Sequence, residues 1–217
     1  MTPDEIAQEH LDRGIEHHEA KRYGEAEAEY RKGLELTPND PYLHHNLGSA
    51  LWTMGNTDAG IEHYREAVRL GADFFAPHCD LALAVAIRVR KHPTLEGWRE
   101  VRTLALSALA IGPRDRSLLY DLALAEWFLN NRSGAIRLFR EIVSQDENDL
   151  EALNLLARAL QRTWQWREMF KTSVKLCTHP DFNGSDLDRR NIRAALKSAA
   201  IGLSGLAIYI CWKLRRR

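Results

Sequence analysis

Apolar and polar residues follow one another along the chain with helical periodicity, in stretches separated by short polar breaks. In residues 7–40 and again in residues 41–74, two periodic stretches flank such a break, at Ala20–Arg22 and at Gly55–Thr57. Apolar side chains that recur every three or four positions indicate an amphipathic helix. The pattern therefore predicts pairs of helices joined by short turns.

A unit of 34 residues recurs in this pattern. When residues 7–40 are aligned with residues 41–74, Gly14 pairs with Gly48, Ala26 with Gly60, Tyr30 with Tyr64, and Gly33 with Ala67. Self-similarity at a period of this size is typical of stacked repeats, in which each unit buries its apolar face against its neighbours.

The unit resembles the tetratricopeptide repeat (TPR), which has small residues at positions 8, 20 and 27, an aromatic at position 24 and often proline at position 32. The first unit has Gly14, Ala26, Gly33, Tyr30 and Pro38 at these positions, and Ala72 replaces the proline in the second. Small side chains allow two antiparallel helices to approach closely, and the aromatic ring fills the neighbouring hole.

Later units keep the phase less well. A third, 75–115, contains an insertion around KHPTLEG, a fourth spans 116–149, and a fifth, 150–183, has Met169 and Ser173 where Ala and an aromatic are expected. The resemblance implies an all-α, right-handed TPR solenoid of about five hairpins over residues 1–180, without a sheet. A linker at 181–186 and a C-terminal helix at 187–217 would follow. The alternative is an ordinary helical bundle with accidental spacing.

Composition limits the class of ligand and the cellular compartment that we expect for this chain. Thirty basic and thirty acidic side chains cancel, whereas a nucleic-acid-binding protein relies on a net basic face. Three scattered cysteines, Cys79, Cys177 and Cys211, define no disulfide framework and favour a reducing compartment. The acidic start lacks a signal peptide, so we expect the repeats to remain in the cytosol.

The resemblance implies a concave groove that is lined by the first helix of each repeat and binds extended or helical peptides. The residues that map to this groove are Asp12, His45, Asn46, Ser49, Trp52, Asp80, Tyr120, Asp121 and Trp127.

The charge of these residues indicates the partner. One TPR subclass clamps a terminal carboxylate with basic residues, but here Asp12, Asp80 and Asp121 lie where positive charge would be needed. We therefore expect a basic or amphipathic protein segment as the partner. Trp52 and Trp127 are candidate anchors, and packing at helix ends is the alternative role for both.

His10, His44 and His78 recur at position 4 of three successive units. Equivalent residues on stacked helices are separated by the interaxial distance of about 8–10 Å, which is too far for two imidazoles to share one zinc ion. We expect packing roles for these histidines and no metal site. No phosphate loop, nucleophile elbow or zinc-protease motif is present, so we expect no enzyme activity, cofactor or small-molecule substrate.

The last residues form an apolar run. Ala199–Trp212 carries no charge and is followed by KLRRR, and a helix that is apolar all round lies either in protein or in lipid. If Lys197 extends to the membrane interface, residues 194–212 give a candidate membrane anchor. Its apolar and interfacial residues are Ala194, Ile201, Leu203, Leu206, Ile208, Tyr209, Ile210 and Trp212.

These features lead to two hypotheses. The first is a membrane-tethered adaptor on the cytoplasmic face of a membrane, similar in plan to tail-anchored TPR adaptors. The second is a soluble, cytoplasmic TPR chaperone or assembly scaffold in which the apolar tail is buried in protein.

Overall fold

The computed structural model describes residues 1–71, 75–163 and 165–178, and every regular element in these ranges is an α-helix. The apolar segment 194–212, the predicted linker at 181–186 and the predicted C-terminal helix at 187–217 lie outside the described residues. Among the helices within these ranges, none combines the length and apolarity that a membrane crossing requires.

Ten helices follow one another along the described chain and form consecutive hairpins. They are α1 (Pro3–Glu19), α2 (Tyr23–Leu36), α3 (Pro41–Thr53), α4 (Thr57–Arg69), α5 (Phe75–Lys91), α6 (Leu95–Ile111), α7 (Arg116–Phe128), α8 (Arg132–Gln145), α9 (Leu150–Arg162) and α10 (Trp166–Thr178). The predicted all-helical hairpin fold is confirmed.

Local sequence explains where the helices begin. At α1, the Thr2 hydroxyl accepts the Glu5 amide while the Glu5 carboxylate accepts the Thr2 amide, and Pro3 occupies the first turn. At α3, the Asp40 carboxylate accepts two amides of the first turn, and Pro41 follows it directly. These caps satisfy amide groups that have no partner within the helix.

The turns within the hairpins depend on residues in the left-handed region. Lys21, Gly55 and Asn130 follow α1, α3 and α7 with φ of 59°, 88° and 66°. After α1 and α3, the next amide bonds back to a carbonyl five residues earlier, as in Arg22 N to His17 O. This arrangement ends a helix and reverses the chain within three residues.

The chain divides into two compact units, Met1–Asp121 and Leu122–Arg217, with α7 crossing the boundary. In the first unit, each helix packs against its neighbours in sequence from α1 to α6. The core between α1 and α2 has the predicted composition: a Cβ atom on Gly14 would lie 2.3 Å from Tyr30 Cε1, and Tyr30 is fully buried. Gly48 stands in the same relation to Tyr64.

The third hairpin accommodates its extra residues in a way that the sequence did not predict. Its helices α5 and α6 each have 17 residues, compared with 13 in α3 and in α4. The turn His92–Thr94 remains short. The insertion therefore lengthens both helices by about one turn instead of enlarging the loop between them.

In the described part of the second unit, α8 packs on α9 and α9 on α10. Ala135 and Phe139 of α8 are buried, as the small and aromatic residues of the repeat require. Met169 and Ser173 of α10 are also buried, although neither matches the repeat pattern. The weak fifth unit thus keeps its helices and replaces the side chains between them.

Candidate functional site

The predicted groove residues of the first unit lie mainly on α1, α3 and α5. Asp12 is exposed on α1, and Asp80 is half-buried on α5. On α3, Asn46, Ser49 and Trp52 are half-buried. Residues three apart share one side of a helix, so these three side chains form a single strip along α3.

A hydrogen bond links α3 to α5 within this face. His45 Nε2 lies 2.8 Å from Asp80 Oδ2, and the His45 ring also lies against the ring of Tyr64, with 5.8 Å between centroids. Burial, followed by the charge of Asp80, raises the pKa of Tyr64. The carboxylate of Asp80 therefore already interacts with His45 and Tyr64 of the same chain.

Asn46 and Trp52 are held by their local surroundings. Asn46 Nδ2 donates to the Tyr42 carbonyl at 2.8 Å, so the amide oxygen of Asn46 is oriented away from its own helix backbone. Trp52 passes close to α4: a Cβ atom on Gly60 would lie 3.2 Å from the Trp52 nitrogen and 3.3 Å from its Cβ. Gly60 thus lets Trp52 sit directly over the second helix of its hairpin.

Asp121 does not fit the exposed acidic groove that the sequence predicts. Only 1% of this residue is exposed, and its Oδ1 accepts from Arg90 Nη1 at 2.5 Å. Burying a carboxylate requires a charged or hydrogen-bonded partner, and the additional turn of α5 supplies one in Arg90. Its neighbour Tyr120 is half-buried. Asp121 therefore joins α5 to α7 and is not accessible to a ligand.

Trp127 belongs to the second unit and is engaged with two arginines. The guanidinium carbons of Arg162 and Arg132 lie 5.6 and 6.0 Å from the ring centroid, within the range of a cation–π interaction. These contacts favour the packing role for Trp127. On α3, by contrast, three of the predicted groove residues, Asn46, Ser49 and Trp52, are half-buried on one side of the helix.

The histidines at position 4 of the repeats make contacts that the sequence does not predict. His10 Nδ1 lies 2.8 Å from Glu29 Oε2, and His44 Nδ1 lies 3.0 Å from His63 Nδ1. Both contacts join residues 19 apart, so each connects the first helix of a hairpin to the same position of its second helix. The spacing was present in the sequence, but its meaning depends on how the hairpin pairs its helices.

The neighbours of His44 decide which nitrogen atoms carry protons. His44 Nε2 lies 3.1 Å from the Pro38 carbonyl, which can only accept, so this nitrogen donates. In neutral His44, Nδ1 then accepts the Nδ1–H of His63. Burial, followed by the charges of His44 and Arg31, lowers the pKa of His63. In the parts of the chain that the structure describes, no three His, Cys, Asp or Glu side chains could hold a metal ion.

Comparisons with known proteins identify the repeats in the first unit. A family model described as "TPR repeat" matches residues 14–55, and one described as "Tetratricopeptide repeat" matches residues 41–73. No curated protein matches the chain. Residues 14–73, which include the whole strip on α3, therefore contain tetratricopeptide repeats.

Several solved structures share the fold. MamA AMB-1 is 19% identical, with 83% of this chain and 94% of that one covered and a TM-score of 0.69. Pseudomonas aeruginosa pilF is 15% identical, with coverage of 92% and 85% and a TM-score of 0.62. YrrB, described as "a TPR protein with an unusual peptide-binding site", is 15% identical, with coverage of 83% and 96% and a TM-score of 0.61.

Proposed function

We propose that this chain is a protein-interaction scaffold that binds a peptide or helix on the face formed by α1, α3 and α5. The strip of Asn46, Ser49 and Trp52 on α3 is the observation that carries the proposal. An aromatic ring beside an amide and a hydroxyl can anchor a side chain and hydrogen-bond a backbone at the same time.

Two further observations support binding at this face. Tyr42, one turn before Asn46, is 52% exposed and extends the strip with a second aromatic ring. YrrB, which has a similar fold, is described as a TPR protein with an unusual peptide-binding site. A partner on α3 would therefore meet two aromatic side chains with polar groups between them, an arrangement typical of interaction surfaces.

The partner we propose is basic or amphipathic. Asp12 is exposed on α1, and the side chain of Asp80 is 39% exposed despite its bond to His45. Because Asp121 is buried, the acidic character of this face comes from Asp12 and Asp80 in the first unit. A cationic segment lying across α3 would have one carboxylate on either side.

Substitutions on α3 test this function. Basic amphipathic peptides, compared with acidic peptides of the same apolar pattern, are titrated against the full chain by fluorescence anisotropy. We expect Trp52→Ala to weaken binding of the basic peptides about tenfold or more, and Asn46→Ala to weaken it less.

Met54→Ala serves as the matched control, because Met54 is an exposed apolar residue on the turn that follows Trp52. Its affinity for the basic peptides should equal that of the wild type, and all three variants should keep their helicity. Equal affinity for basic and acidic peptides, or unchanged affinity in Trp52→Ala, would contradict the proposal.

A membrane tether is a second candidate, favoured by the uncharged run Ala199–Trp212 in the sequence. Residues 194–212 would place the scaffold at a membrane surface and raise the local concentration of its partner. Alkaline extraction of membranes should then leave the full chain in the pellet and release a variant without residues 194–217. Release of both proteins would leave the assembly scaffold as the remaining function.

A further inference from the structure

The outer side of α6 carries exposed apolar and basic side chains on one narrow face. Leu95, Arg99, Arg102 and Leu106 are spaced by four, three and four residues and are all exposed, with Leu95 61% and Leu106 50% exposed. Residues at this spacing lie on the same side of a helix. We call them the basic-apolar stripe. Arginine is enriched in protein interfaces, and two exposed leucines that border two arginines give this face both an apolar and a charged component.

The two arginines of this stripe differ from their neighbours in having no ion-pair partner within the described chain. Arg88 and Arg90, on the adjacent α5, contact Glu100 and Asp121. Arg99 and Arg102 make no comparable contact through their side chains in the ranges that the structure describes. The fold thus satisfies the arginines of α5 internally and leaves those of α6 directed at solvent.

A second stripe of the same spacing lies on α1. Glu5, Glu9, Asp12 and Glu16 follow one another by four, three and four residues, and all are exposed. We call them the acidic stripe. Acidic residues three or four apart on a helix repel one another and destabilise the helix. Arg13, which pairs with Glu9 at 2.8 Å, offsets only part of this repulsion.

The acidic stripe includes positions that are apolar and buried in the next repeat. Glu9 and Glu16 occupy the positions of Leu43 and Ala50 in the next repeat, and both of those residues are fully buried. Residues 1–71 contain 14 acidic and 7 basic side chains. The side of α1 that would carry apolar residues in an internal repeat is therefore a charged surface.

We propose that the basic-apolar stripe of one copy binds the acidic stripe of a second copy. Both stripes span 12 residues, from Glu5 to Glu16 and from Leu95 to Leu106, and the 11 steps between their ends give about 16 Å of helix at 1.5 Å per residue. The charges of one stripe can therefore be matched along the length of the other. Leu95 and Leu106 flank the arginines and would exclude water from the ion pairs.

The chain itself provides the reason to choose a second copy as the occupant. Its complementary surface is present at the same spacing, at the same length and in the same unit. Because the two stripes are different surfaces, the contact is heterologous, and each copy keeps one stripe available for another partner. Self-association through this contact should weaken as salt screens the charges.

Sedimentation velocity of the full chain tests the proposal, with the same non-ionic detergent in every sample to prevent association through residues 194–212. We expect concentration-dependent self-association at low ionic strength that decreases at high ionic strength. The variants Arg99→Glu/Arg102→Glu and Glu9→Lys/Glu16→Lys should each weaken self-association at least tenfold, because like charges then face each other.

Mixing these two variants gives the decisive measurement. The first retains a native acidic stripe and the second a native basic-apolar stripe, so the mixture should form a heterodimer with the affinity of the wild type. Arg137→Glu/Arg158→Glu is the control, because it changes the net charge as much as Arg99→Glu/Arg102→Glu does, at exposed positions of α8 and α9. This control should self-associate like the wild type.

Three outcomes would overturn the proposal: a monomer at every concentration in low salt, equal weakening by the α8–α9 control, or no heterodimer in the mixture. Flotation with phosphatidylserine vesicles tests whether the basic-apolar stripe binds anionic lipid instead of a second copy. Vesicle binding that Arg99→Glu/Arg102→Glu abolishes, without self-association, would assign the stripe to anionic lipid. Asp12 belongs both to the acidic stripe and to the proposed peptide-binding face, so the α6 variant separates the two proposals. Arg99→Glu/Arg102→Glu changes no residue of α1, α3 or α5 and should lose self-association while keeping its affinity for the basic peptides.

Discussion

At the scale of single residues, the absence of a side chain at Gly14 leaves room for the ring of Tyr30. The Tyr30 ring is fully buried, and burial, with a smaller effect of Glu19, raises the pKa of its hydroxyl to about 12. A methyl group at position 14 would overlap three ring atoms that lie within 2.9 Å of it. A ring enclosed on all sides cannot move away from this overlap.

We therefore expect Gly14→Ala to destabilise the chain by about 1–3 kcal/mol, the usual effect of overpacking. Gly24→Ala is the control, because Gly24 is exposed on α2 and a methyl group there would meet nothing within 4 Å. It should be neutral or stabilising by up to about 1 kcal/mol through its helix propensity. Urea denaturation measures both, and equal effects would contradict the packing explanation.

The pair of His44 and His63 makes stability depend on pH. Because the pKa of His63 is lower in the folded chain than its ordinary value of 6.5, the unfolded chain binds a proton at a higher pH than the folded chain does. Stability from this residue is thus present above pH 6.5 and is lost as the pH falls below it. The pKa of His63 also responds to three nearby charges. The charge of Arg31 lowers it further, whereas the carboxylates of Glu27 and Glu66 raise it and partly oppose the effect of burial.

We expect the free energy of unfolding to fall between pH 7 and pH 5, and His63→Gln to reduce this fall. The pKa of Glu29 is lowered to about 2 by Lys32 and His10, so its own contribution is lost only at lower pH. Urea titrations at several pH values measure the slope. His92→Gln, on the exposed turn after α5, should leave the pH dependence of the free energy of unfolding as in the wild type. The same pH dependence in His63→Gln would contradict the role of His63.

At the scale of elements, the lengthened α5 connects the third hairpin to α7. Arg90 lies in the additional turn and binds the buried carboxylate of Asp121. Arg88, two residues earlier, contacts Glu100 at 3.5 Å, where both side chains are more than one-third exposed. Desolvation makes the first contact much more sensitive to the loss of its arginine than the second.

We expect Arg90→Met to destabilise the chain by about 1–3 kcal/mol, because it removes a charged partner from a buried carboxylate. Arg88→Met should change stability by less than about 0.5 kcal/mol. Thermal denaturation of the two variants compares the same substitution on one helix. A similar loss of stability in both variants would show that the two arginines stabilise the chain in the same way, and that the burial of Asp121 adds nothing to the effect of Arg90.

The sequence predicted elements better than it predicted the contacts between them. The 34-residue phase located the small and aromatic core residues Gly14 and Tyr30, because a repeat determines which positions face the neighbouring helix. The burial of Asp121 depended on the extra turn of α5, which the sequence suggested to be a loop insertion. The partner of His44 lies 19 residues away, and that distance has meaning only once the hairpin geometry is known.

At the scale of the whole molecule, the described contacts follow the order of the chain. Most of the helix pairs that pack together are consecutive in sequence, and α1 with α3 is an exception at the start of the first unit. Stability in such a protein is close to a sum over repeats and their nearest-neighbour interfaces. The Asn46–Trp52 strip on α3 therefore depends mainly on the hairpins on either side of it.

The charged outer side of α1 has a consequence for lengthening this protein by design. A consensus hairpin fused before residue 1 would place its apolar helices against Glu9 and Glu16, and desolvating two carboxylates without partners is unfavourable. We expect such a fusion to add a hairpin that stays undocked. Restoring the side chains of an internal repeat, with Glu9→Leu and Glu16→Ala, would turn this surface into a platform on which the array can grow.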